Sequence, residues 1–170
     1  MADQGVTAKT AGKFNNDLAY GGIDYISDVD WFEVSAEGDT LYKVILEGYG
    51  TSDPLSDGTL RLLDKKGKEI TDELPLTVEE NPSTGLYSLT FINGAKASDY
   101  FVAVAGDANL VGNYRLTLDT ISDDYGDTAK TAGELAAAEQ AGHIDWAGDV
   151  DWFALDVETD THYTITLNST

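Results

Sequence analysis

From Asp30 onward, apolar and polar residues alternate with a period of two over most of the chain, the pattern of strands with one buried face. Trp31–Ser35 reads as a strand, Glu37-Gly38-Asp39 as a turn and Leu41–Leu46 as a second strand. Asp57-Gly58 leads into a strand over Thr59–Leu63, and Lys65–Lys68 turns the chain before Glu69-Ile70. Leu86–Phe91 and Gly112–Leu118 alternate again, whereas Tyr100–Ala105 is continuously apolar, as a central sandwich strand would be. Short strands separated by Gly, Asp and Asn turns predict an all-β chain built as an antiparallel β-sandwich, jelly-roll-like in type. Residues 3–22 lack a long apolar period: Thr7 to Leu18 permits a short helical turn or a loop, and Gly133 to Gln140 has better helix formers. These stretches are expected to be permissive surface segments.

The opening pattern returns at an offset of 121 residues, without a gap, and 21 of 47 positions are identical between 3–49 and 124–170. Ile23–Phe32 (IDYISDVDWF) recurs as Ile144–Phe153 (IDWAGDVDWF), and Thr7–Gly12 recurs as Thr128–Gly133. A period this long marks a tandem domain rather than a solenoid unit, whose periods run roughly 20–50 residues. The expected organisation is a complete sandwich over 3–121, an acidic junction over 122–127, and a partial second β-sandwich repeat, truncated, over 128–170. A half sandwich exposes strand edges and an apolar face. Its residues could be disordered, pack on the first repeat, pair with another chain as a strand-exchanged dimer, or be completed by later sequence.

Net charge is -21, from 31 acidic and 10 basic residues, which argues against nucleic acid and anionic membranes as partners. Divalent-cation binding, a halophilic or marine surface and plain solubility are three separate sources of such acidity. Cysteine is absent, which excludes disulfides and thiolate metal sites. No apolar run approaches membrane-spanning length, so membrane insertion is not expected. Met1-Ala2-Asp3 shows no signal peptide and reads as an added start on an excised segment of something larger.

Asp-Thr-Ala-Lys-Thr-Ala-Gly, then Gly-x-Ile-Asp-x-x-x-Asp-Val-Asp-Trp-Phe, then Thr-x-Tyr-x-x-x-Leu is an order that resembles the bacterial pre-peptidase C-terminal (PPC) domain. Thr84-Gly85-Leu86-Tyr87, Asp99–Val104 and Gly112–Leu116 agree with it. The resemblance covers residues 3–120 completely and 124–170 as a truncated copy; residues 64–84 are less typical. It implies a compact, non-catalytic β-sandwich of secreted proteases and of large surface proteins, including repeat-in-toxin adhesins. It is also similar to the collagen-binding domains of clostridial collagenases, where calcium organises the start of the domain. Secretion or a cell-surface location, and calcium, are what the resemblance implies.

Asp24, Asp28 and Asp30, with their duplicates Asp145, Asp149 and Asp151, offer hard oxygen ligands on one loop each, better suited to calcium than to zinc. The spacing is not that of an EF-hand, and the same aspartates could simply cap turns. Asp123, Asp124 and Asp127 form a second candidate, an inter-repeat calcium site, against the alternative of a solvated acidic linker. Trp31, Phe32, Trp152 and Phe153 are expected in the core. Tyr25, Trp146, Tyr49 and Tyr125, flanked by acids and glycines, are candidate platforms for polysaccharide or protein. His143 and His162 are the only histidines, and no nucleophile or metalloprotease motif is present, so no enzyme is expected. Two functions remain: a calcium-stiffened structural or spacer module joined to neighbouring domains of its parent protein, and a module that binds carbohydrate or protein through exposed aromatics.

Overall fold

The computed structural model describes residues 5–7, 9–81, 83–135 and 139–168. The chain divides into two compact units between Ser122 and Asp123. In the first unit, alternating sequence becomes nine strands: β1 (Gly12–Lys13), β2 (Leu18–Ile23), β3 (Val29–Ala36), β4 (Thr40–Gly48), β5 (Gly58–Asp64), β6 (Leu76–Glu80), β7 (Tyr87–Asn93), β8 (Ser98–Gly106) and β9 (Gly112–Ser122). One sheet has the order β1-β3-β8-β5 and the other β2-β9-β4-β7-β6. All neighbours are antiparallel except β1 and β3. The two sheets pack as a sandwich, as the alternation predicts, and no α-helix occurs among the described residues.

The core follows from period two. Phe32 and Val34 of β3, Tyr42, Val44 and Leu46 of β4, and Leu89 and Phe91 of β7 face inward, against Tyr114 and Leu116 of β9. Each such side chain contributes about 1.5–3 kcal/mol relative to an exposed one. Strand β8 is continuously apolar because both its faces are covered. Val102 and Val104 join the main core, while Phe101 and Ala103 join Leu63, with Val29, Ala11 and Trp31 packed against them. Trp31 is thus half-buried against Phe101, with ring centroids 5.5 Å apart, whereas Phe32 lies in the main core as expected.

Within residues 3–22, Gly12–Lys13 and the stretch from Leu18 depart from the expectation of a permissive surface segment, since they supply β1 and β2. Gly21-Gly22 lies in β2, where Tyr114 occupies the space beside Gly21. A Cβ on Gly21 would lie 2.2 Å from the Tyr114 hydroxyl. The edge strand β6 is mostly exposed and carries little apolar signal.

Two hydrogen bonds tie the sheets together at opposite ends of β3. The buried Tyr114 hydroxyl of β9 donates to the buried Asp30 carboxyl of β3. The Tyr100 hydroxyl of β8 donates to Asn93 Oδ1 of β7 at 2.9 Å, and Asn93 Nδ2 donates to the carbonyls of Glu37 and Lys96 at 2.6 and 2.9 Å.

Among the described residues of the second unit, only β10 (Gly133–Glu134) and β11 (Phe153–Ala154) pair, in parallel. Their register, Gly133 with Phe153, repeats that of Gly12 with Phe32. Tyr163–Leu167, the counterpart of Tyr42–Leu46 in β4, forms no strand. Trp152 and Phe153 were expected in the core and are instead exposed. Both departures have one cause: among the described residues, no strand of this unit plays the part of β7, β8 or β9.

Removing the Tyr114 hydroxyl by Tyr114→Phe withdraws a buried partner from Asp30, so the expected loss is about 1–3 kcal/mol. Leu116→Ala should cost about 2–5 kcal/mol. Urea denaturation of the first-unit transition checks both, and a Tyr114→Phe protein as stable as the parent would show the sheet-to-sheet tie to be irrelevant.

Candidate metal centre in the second unit

The loop Asp145–Asp151 is held by its own polar groups. Asp149 Oδ2 accepts from the Asp145 amide at 2.7 Å, and the Asp149 amide donates to the Trp146 carbonyl at 3.2 Å. The turn needs a left-handed residue, Gly148 at φ +95°, where the first loop has Ser27 at φ 71°. The junction folds onto this loop. The Asp124 amide donates to Asp145 Oδ2 at 3.2 Å, and the His143 amide donates to Asp124 Oδ2 at 3.1 Å. Asp123 Oδ1 accepts from the Tyr125 amide at 3.0 Å, and His143 Nδ1 lies 3.0 Å from Asp145 Oδ1.

These contacts bring five carboxylates together in two overlapping groups. Asp123, Asp145 and Asp149 form one, and Asp123, Asp124 and Asp151 the other; within each, one oxygen per residue lies within 4.8 Å of the others. Oxygens bound to one calcium at roughly 2.3–2.6 Å lie no more than about 5 Å apart, so each group meets that limit. Unneutralised, two carboxylates at this range repel by roughly 1 kcal/mol in water-like surroundings and a few times more at an effective dielectric near 20. Asp151 carries most of the strain. Its Oδ1 is buried with no hydrogen-bond partner among the described residues. Burial foremost, then the charges of Asp124, Asp149 and Asp145, raise its pKa above 3.8, and His143 opposes them. A hard divalent cation suits the chemistry of these all-oxygen groups and would relieve the repulsion within whichever of them held it.

The other sequence candidates are placed differently. Asp28 Oδ2 caps the Asp24 amide at 2.8 Å, Asp30 is held by Tyr114, and Asp24 is exposed. Neither metal-compatible group includes these three or Asp127. Tyr25 is exposed on its loop, and Trp146 is half-buried. Tyr125 is half-buried on Phe153, with ring centroids 4.7 Å apart, and its hydroxyl takes a hydrogen bond from Gln140. Tyr49 is exposed and lies 4.9 Å from Tyr20, an exposed partner not singled out from the sequence, with the rings inclined at 60°. Beneath them Arg115 pairs with Glu47. The alternation places Tyr20, Arg115 and Glu47 on one outer face only once β2, β9 and β4 are known to be neighbours.

No family model matches the chain, and no curated protein does. Among solved structures it is similar to PliG of Aeromonas hydrophila, a periplasmic lysozyme inhibitor of g-type lysozyme. The two share 10% identity over 65% of this chain and 96% of that one, with a TM-score of 0.41. Among the described residues, no helix is long and apolar enough to cross a membrane.

A raised pKa in the folded state means that ionised Asp151 opposes folding. In chelator, that penalty is absent below about pH 3.8, grows as pH rises through the raised value, and is full above it. Asp151→Asn should therefore stabilise the metal-free second unit at neutral pH and flatten its pH dependence, read by Trp146 and Trp152 fluorescence during urea unfolding. An Asn variant less stable than the parent in chelator would contradict this.

Proposed function

We propose that the chain is a non-catalytic, calcium-stabilised structural or spacer module, of the PPC type its sequence resembles, within a larger secreted or cell-surface protein such as an adhesin or protease. Its partners are then the neighbouring domains of that protein. The observation that carries this is the meeting of Asp123 with Asp145 and Asp149 and with Asp124 and Asp151, the last with a buried, unpartnered oxygen. Asp123 and Asp124 begin the second unit and their partners come from its Asp-rich loop. A bound cation would fix the start of the unit to its body and stiffen the chain at that point. Extracellular modules bind calcium at roughly 10⁻⁴–10⁻³ M, a range a partly hydrated carboxylate site can reach without catalytic groups.

The alternative is a carbohydrate- or protein-binding module. Tyr20 and Tyr49 beside Arg115 and Glu47 favour it, since they present aromatic faces and charged hydrogen-bonding groups on one exposed surface. Their inclination argues against a flat platform for a sugar ring.

Thermal unfolding in calcium and in excess chelator separates the two. Calcium at a hundred times its dissociation constant should add about 2.7 kcal/mol to the unit that holds it, a rise in Tm of several degrees. Asp123→Asn with Asp149→Asn should abolish the rise. Equal melting curves with and without calcium would remove the metal from the account. Loss of binding to a polysaccharide or collagen matrix on Tyr20→Ala and Tyr49→Ala would establish the alternative.

A further inference from the structure

Asn93-Gly94 is the only Asn-Gly pair in the sequence. An asparagine followed by glycine is chemically labile, because no Cβ shields the next backbone nitrogen from the side-chain amide. Nothing in the packing asks for glycine at 94. Its φ lies outside the left-handed region, and a Cβ there would meet no atom within 4 Å. Gly94, Ala95 and Lys96 are exposed, so water reaches the turn. Asn93 itself is 2% exposed, the last residue of β7, in register with Thr40 of β4.

The Asn93 side chain latches two turns together. Its Nδ2 donates to the Glu37 carbonyl of the β3–β4 turn at 2.6 Å and to the Lys96 carbonyl of the β7–β8 turn at 2.9 Å, while Oδ1 accepts from Tyr100 at 2.9 Å. The Asp39 amide adds a backbone bond to the Gly94 carbonyl at 3.3 Å. The two turns press so closely that a Cβ on Gly38 would lie 2.8 Å from the Ala95 carbonyl. Turning Cγ of Asn93 toward the Gly94 nitrogen breaks its three side-chain bonds at once, which is a local opening of this end of the sandwich.

We propose that Asn93 is a latent modification site: its spontaneous deamidation is gated by opening of the two turns, and the product can no longer latch them. In the open state the Gly94 nitrogen, its proton lost to base, attacks Asn93 Cγ. The Cγ–Nδ2 bond breaks, and Nδ2 leaves as ammonia with a proton from water. Water then opens the resulting succinimide to aspartate or isoaspartate; no electron transfer is involved. Aspartate sets an acceptor oxygen against the Glu37 and Lys96 carbonyls, where a donor stood, and isoaspartate lengthens the backbone at the end of β7. Either product leaves those buried acceptors without their donor, so one opening event becomes a permanent change. The reaction is independent of calcium.

The test incubates the full chain at mildly alkaline pH beside a synthetic peptide with the sequence of residues 88–98, and follows conversion at Asn93 by mass spectrometry. Reaction in the full chain tracks the population of the open state, so it should run at least about tenfold slower than in the peptide or in the chain held in urea. Tyr100→Phe, which removes one hydrogen bond of the latch, should speed it about fivefold. Gly94→Ala, which the open space permits, should slow it in chain and peptide alike. In deamidated chain separated by ion exchange, the Asp39 amide should exchange its hydrogen faster than in the parent. A full chain that reacts as fast as the peptide would overturn the proposal, and that comparison needs no variant. So would a rate that Tyr100→Phe leaves unmoved, or a deamidated chain whose Asp39 amide is as protected as before.

Discussion

Strand β9 is the constraint on which the first unit depends. It lies between β2 and β4, elements that precede it by some seventy to a hundred residues, and hydrogen-bonds to both. Without it, the larger sheet has no link from β2 to β4. Its inward residues Tyr114 and Leu116 are fully buried, and the Tyr114 hydroxyl reaches across the sandwich to Asp30 on the opposite sheet. One strand therefore closes a sheet, fills the core and joins the two layers. Closing so long a loop costs entropy that grows only slowly with length, and the burial of two sheet faces offsets it.

The duplication separates what local sequence determines from what long-range pairing determines. Turns at Thr7–Thr10 and Thr128–Thr131, the caps by Asp28 and Asp149, and the short parallel pairs of β1 with β3 and β10 with β11 are the same in both units. Each closes between residues at most about twenty positions apart. Burial of Phe32, Val44 and Leu46 needs β7, β8 and β9, and it is this burial that Phe153, Ile165 and Leu167 lack. Local hydrogen bonds thus set the shape of the loop, whereas the hydrophobic term waits for distant strands.

The same division explains how much could be read in the sequence. β3, β4, β5, β7, β8 and β9 each carry their own alternation, or in β8 a two-sided apolar run, and were legible strand by strand. β2 was not, because Gly21 answers to Tyr114, which arrives some ninety residues later. Trp31 and Phe32 are adjacent and both apolar, yet neighbours on a strand face opposite ways, so only Phe32 enters the main core. Among the candidate ligands, the acids could be read as oxygen donors, but not which of them converge. Asp127 carries the same side chain as Asp123 and joins neither group. The pairing of Tyr20 with Tyr49 depended on strand order, which periodicity does not encode.

Asp30 and Asp151 show why the duplicated loop alone does not define the candidate metal centre. Both follow the same capped turn, and both lie at the start of the segment that carries the Trp-Phe pair. In the first unit, a tyrosine from β9 reaches the carboxyl, which is buried between two sheets with its hydrogen bond made. In the second, Asp123 and Asp124 fold back on the loop and place further acid beside Asp151, whose pKa is raised by burial first and then by Asp124, Asp149 and Asp145. The acid cluster is therefore a property of the junction acting on the loop. A carboxylate so placed gains from a cation shared with its neighbours.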